Sequence, residues 1–160
     1  MKSIILTFII SAFVFSLIRY FFKGNEKRMI RPHQIKINEL SVTMDRLLEN
    51  KLDFDFFGIT SNGIDCIYFM FEDSVINIDF EVMRIEQREY VEDYIIFAKE
   101  NDFEVKVTSY DNQFNNSSLE KAKVYKMILN ADKSKAEQIG ADIQKVVFKN
   151  DSSTDFEIVP

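Results

Sequence analysis

The chain has 160 residues and a formal net charge of −6, split into +6 over residues 1–36 and −12 over residues 37–160. An acidic body of that kind repels the phosphate backbone, which argues against a nucleic-acid partner. The single cysteine, Cys66, excludes an intrachain disulfide and fits a reducing compartment.

The first segment, Ile4 to Phe22, reads IILTFIISAFVFSLIRYFF with Arg19 as its only charge. At ~1.5 Å per helical residue it reaches roughly 28 Å, close to the hydrocarbon thickness of a bilayer. The competing reading is a cleaved signal peptide. No small-residue cleavage site follows the run, where Arg19-Tyr20-Phe21-Phe22-Lys23 stands instead, so an uncleaved anchor over residues 1–23 is expected. Arg19 snorkels to the interface beside Lys23. One lysine precedes the span, whereas Lys23, Lys27, Arg28, Arg31 and Lys36 follow it. The positive-inside rule then sets the N-terminus outside and the following domain in the cytoplasm, with Arg19, Lys23, Lys27, Arg28 and Arg31 at the membrane interface. Residues 24–36 read as a basic juxtamembrane linker, because Pro32 discourages helix at Arg31. His33, the only histidine, lies in this linker.

Residues 37–160 read as one soluble domain. Ile37, Leu40, Met44, Leu47 and Leu48 recur at helical spacing and predict a helix over about 38–50. Phe54 to Thr60 predicts a strand, Asn62-Gly63 a hairpin turn, and Ile64 to Phe71 a central strand apolar on both faces. Ile76, Ile78, Phe80 and Val82 alternate with polar residues and predict a third strand. A second helix is expected over 85–101, with Tyr90, Val91, Tyr94, Ile95, Phe97 and Ala98 on its apolar side. Phe103, Val105 and Val107 mark a fourth strand, 111–118 a polar loop, and 124–129 a fifth strand. Ser134 with Glu137 reads as a capping box opening the third helix. Gly140 sits on that helix's buried side, where close packing on the sheet accounts for it. The tail over 150–160 is polar, with a short apolar stretch, Phe156 to Val159, that docks.

The fold class is therefore α+β: a single transmembrane helix, then an α-βββ-α-ββ-α domain with a mostly antiparallel sheet. That element order resembles the small α/β domain shared by the bacterial YbjN-like proteins and the class I type III secretion chaperones. The resemblance spans about 37–148. It implies a protein-binding, non-enzymatic domain, often dimeric, and assigns no residue a role. The abundance of Phe, Ile, Asn and Lys without Trp fits an AT-rich bacterial genome, so the expected location is a bacterial inner membrane.

No C-x-x-C, H-E-x-x-H, G-x-G-x-x-G or P-loop motif is present, and four glycines build no familiar phosphate cradle. No cofactor or metal is expected. Cys66, among Ile64, Ile67 and Tyr68, reads as a buried structural thiol. Asp53/Asp55 and Asp79/Glu81 are i, i+2 pairs that could meet to hold a divalent ion, the basis of a hydrolase reading. A solvated sheet face is the plainer account of them. Residues 37–115 hold 18 acids against six bases, so one surface should be strongly negative. The leading expectation is a non-catalytic, membrane-tethered protein-interaction module, an accessory subunit or adaptor whose partner is another protein or a second copy. Its candidate contact residues are Asp79, Glu81, Glu89, Glu92 and Asp93. The alternative is chaperone-like binding of extended client segments.

Overall fold

The computed structural model describes residues 33–109 and 122–159. The expected anchor over 1–23, with Arg19, Lys23, Lys27, Arg28 and Arg31, lies outside the described residues. So do most of the basic linker and the polar loop at 111–118. Among the described residues, no helix is long and apolar enough to cross a membrane.

Among the described residues seven strands form one sheet: β1 (Gln34–Lys36), β2 (Phe56–Thr60), β3 (Ile67–Glu72), β4 (Val75–Val82), β5 (Glu104–Ser109), β6 (Lys123–Ala131) and β7 (Asp155–Val159). Their order across it is β1-β7-β2-β3-β4-β6-β5, and every pairing is antiparallel. Among the described residues three α-helices accompany them: α1 (Leu40–Leu48), α2 (Val91–Glu100) and α3 (Lys133–Val146). The expected α+β class and antiparallel sheet are present, and β3 is the middle strand.

All three helices pack on one face. Phe57, Ile59, Ile67, Phe69, Ile78, Phe80, Met127, Phe156 and Ile158 share one buried cluster with Leu40, Met44 and Leu47 of α1, Tyr94, Phe97 and Ala98 of α2, and Ala136, Ile139 and Ile143 of α3. The strand members recur every second residue, so they occupy a single side of the pleat. Phe57 stacks on Phe69 with ring centroids 5.1 Å apart, and Phe80 meets both Tyr94 and Phe148 at 5.4 Å. Tyr94, fully buried, donates its hydroxyl hydrogen to the Ile78 carbonyl at 2.9 Å, so its one polar atom costs little to bury.

Four local expectations are corrected. The linker ends earlier than Lys36, because Gln34–Lys36 pairs with Asp155–Glu157 of β7, and β7 itself pairs with β2. The docked tail is thus an internal strand of the sheet. The Asn62-Gly63 turn is no two-residue hairpin: β2 and β3 pair as expected, but residues 61–66 stay in the loop. Asn62 uses its side chain there, with Oδ1 accepting from Ile64 N–H at 2.8 Å, and only Gly63 takes a positive φ. The second helix splits into a 3-10 segment, Ile85–Tyr90, and then α2. Gln87 Oε1 accepts from both Met83 and Arg84 N–H at 2.8 Å, which tightens the first turns. Finally, α3 is capped by Asp132, whose carboxylate accepts from Lys135 N–H at 2.9 Å. Ser134 and Glu137 lie inside that helix, and Glu137 faces Lys133 at 3.8 Å.

Candidate functional site

With the helices on one side, the opposite face carries the alternate residues: Phe56 and Gly58 of β2, Tyr68, Met70 and Glu72 of β3, Asn77, Asp79 and Glu81 of β4, and Val124 and Lys126 of β6. No described helix covers it. Its apolar feature is an aromatic row. Phe54, 51% exposed, stacks on Phe56 at 5.3 Å, and Phe56 meets the edge of Tyr68 at 6.0 Å. Gly58 lets the row lie flat, since a Cβ there would stand 2.8 Å from Tyr68 Cε1 and 2.7 Å from Val159 Cγ2.

Beside Tyr68 opens a cleft of about 250 Å³, lined by Thr60, Cys66, Tyr68, Glu81, Arg84 and Val159 among others. Its floor is held by the 61–66 loop. The buried Asp65 carboxylate accepts from Thr60 Oγ1 (2.7 Å), Ser61 N–H (2.8 Å), Ser61 Oγ (2.6 Å) and Asn150 Nδ2 (2.6 Å). Gln144 Nε2 reaches the Asp65 carbonyl at 2.9 Å, tying the loop to α3. Gln87 Nε2 reaches the Ile64 carbonyl at 3.1 Å, tying it to the 3-10 segment. These bonds tie the floor of the cleft to α3 and to the 3-10 segment. Burial pushes the Cys66 thiol up to about 12, which disfavours its thiolate at neutral pH.

The centre of this face is Asp79. The residue is 4% exposed, and its Oδ1 has no hydrogen-bond partner. Tyr68 and Lys126 are its register partners on either side. Lys126 Nζ, however, is held by Glu72, at 2.7 and 2.8 Å from its two oxygens. Burial pushes Asp79 up to about 6; Lys126 draws it down, and Glu72 and Glu81 push it further up.

The five expected contact residues do not form one surface. Asp79 and Glu81 lie on the open face, Asp79 buried and Glu81 half-buried. Glu89, Glu92 and Asp93 are exposed on the 3-10 segment and the first turn of α2, an element packed on the other side of the sheet. Asp53 and Asp55 precede β2, and among the described residues no group of three or more His, Cys, Asp or Glu could hold a metal ion. Sequence reasoning missed Phe54, Phe56, Tyr68 and Lys126 as surface residues. The signal for the first three was their place in the period-2 alternation, opposite Phe57, Ile59, Ile67 and Phe69. Comparison with known proteins finds no match: no family model, curated protein or solved structure matches the chain.

Proposed function

We propose that this chain is a non-catalytic, membrane-tethered protein-interaction module, an accessory subunit or adaptor that contacts its protein partner through the open sheet face. The observation that carries the reading is the segregation of the three described α-helices to one side of the sheet. It leaves the Phe54–Phe56–Tyr68 row on the other. Aromatic side chains on a rigid, partly exposed surface are the groups that anchor protein contacts. The tether is supported by the apolar run at 4–22 and its basic flank. In this reading the bacterial inner membrane holds the N-terminus outside and the domain in the cytoplasm. Confinement to a plane raises the domain's effective concentration near membrane partners.

The test is crosslinking in cells and co-purification, comparing the full chain, a chain starting at His33, and the full chain with Phe54→Asp. A defined membrane complex that is lost in both altered forms is the expected result. A complex indifferent to Phe54→Asp overturns the choice of face, and one indifferent to removing residues 1–32 overturns the tether.

The chaperone-like reading keeps one observation of its own. β5 is an edge strand among the described residues, exposed at five of its six positions, with Val107 55% exposed. Such an edge can pair with an extended client segment. Capture of the same clients by the chain starting at His33 favours it.

A further inference from the structure

We propose that Asp79 is a proton-operated switch for the Lys126–Glu72 ion pair: with the Asp79 carboxyl protonated, Lys126 stays on Glu72, and with it ionised, Lys126 moves to Asp79 and leaves the Glu72 carboxylate to solvent. The structure shows Lys126 on Glu72, the pairing that belongs to the first of these states. Lys126 Nζ lies within hydrogen-bond distance of both Glu72 oxygens. Asp79 stands opposite Lys126 in the β4–β6 register, is buried, and has an oxygen without a partner. An ionised carboxylate so placed needs a cation or donors, and a buried group lacking them takes a proton instead.

Among the described residues, the cation that stands opposite Asp79 in the strand register is Lys126. On β3 it faces the Tyr68 ring, with Glu72 further along the strand. On its own strand stand Glu81 and Asn77, and the Asn77 amide oxygen is occupied by Leu129 and Asn130 N–H at 3.0 and 3.1 Å. On β6, Lys126 is flanked by Val124 and Ile128, and beyond it β5 presents Lys106 and Glu104. From the helix side, the Tyr94 hydroxyl is spent on the Ile78 carbonyl. Lys126 therefore serves two carboxylates, and the proton on Asp79 decides which. Release of that proton to water turns one neutral carboxyl and one ion pair into one ion pair and one free carboxylate, so the face becomes more negative by one charge. The midpoint, about 6, lies where small pH changes alter the populations.

The test is a pH titration of the full chain in detergent micelles, following ¹³C-labelled Asp and Glu carboxyls and Lys side chains by NMR. The expected result is an Asp79 midpoint near 6, with a matching inflection in the Glu72 and Lys126 resonances. Glu72→Gln frees Lys126 and should lower the Asp79 midpoint by roughly one pH unit, whereas Lys126→Met should raise it. Asp79→Asn, which keeps the side chain's size, should abolish the inflection at Glu72. An Asp79 midpoint at or below about 4.5 overturns the proposal. So does a Glu72 resonance with no inflection near the Asp79 midpoint, and the wild-type titration decides both without any variant having to fold.

Discussion

Gly140 of α3 and Phe69 of β3 touch through the side chain that Gly140 lacks: a Cβ at 140 would stand 2.4 Å from Phe69 Cζ. The ring occupies the space, so the helix approaches the sheet as closely as its backbone allows. Glycine inside a helix costs about 1 kcal/mol against alanine, and here that cost is offset by the packing of Phe69. Gly140→Ala should therefore destabilise the domain, by about 1–3 kcal/mol, although it improves helix propensity. Phe69→Leu in the same chain should recover part of the loss. Urea unfolding followed by far-UV circular dichroism checks both.

Asp65 organises the loop under the cleft. Burial raises its pKa, but the Ser61 and Thr60 hydroxyls, the Ser61 N–H and the Asn150 amide together lower it below the usual 3.8. Its stabilisation is therefore fully present above about pH 3.8 and is lost as pH falls through the depressed folded value. Asp65→Ala leaves buried donors without an acceptor and should cost roughly 2–4 kcal/mol at pH 7. The gap from wild type should narrow as the solution is made acidic, as measured by unfolding free energy against pH.

Asp79 carries the opposite sign. Its pKa in the fold, about 6, lies above the usual 3.8, so its favourable contribution is fully present below about pH 3.8 and is gone above about pH 6. At 1.36 kcal/mol per pH unit, that window is worth roughly 3 kcal/mol at most. Asp79→Asn, which cannot ionise, should match wild type near pH 4 and exceed it in stability at pH 7–8. A plot of unfolding free energy against pH for both proteins gives the answer, and a constant difference would contradict the assignment.

Cys66 should resist thiol reagents while the domain is folded, since burial holds its thiol at about 12 and the thiolate is the reactive form. Labelling should follow global unfolding, rising with denaturant in step with the loss of circular dichroism. Fast labelling of the native protein at neutral pH would place the thiol at an open part of the cleft instead.

Much of the fold could be read from local patterns. The 3.6-residue period marks α1 and α3, and the 2-residue period marks β4, because each of these elements shows one side to a common core. The reasons for the misses are equally local. Gln34–Lys36 is too short and too polar to signal a strand, and it becomes one only when β7 supplies hydrogen bonds beside it. Asp132 and Ser134 are both good caps, and the end of β6 at Ala131 decides between them. The Asn62-Gly63 signal was outweighed by Asp65, whose carboxylate folds back on residues 60–62 and keeps Ile64 and Cys66 out of the strand.

The candidate site was less legible than the fold. Alternation along one strand says which residues share a side, but not which side the helices take. Asp79 and Glu81 read in the sequence as solvated carboxylates; in the fold Asp79 stands between Tyr68 and Lys126 in the register and is buried. By itself the sequence determined the class of the fold, the central place of β3, the close packing at Gly140 and the buried character of Cys66, because each rests on residues near one another in the chain. Tertiary structure alone decided the insertion of β7 between β1 and β2, the sheet face that no described helix covers, with its aromatic row, and the pairing of Lys126 with Glu72 beside Asp79. Those depend on contacts between strands far apart in sequence, and no local period encodes such pairings.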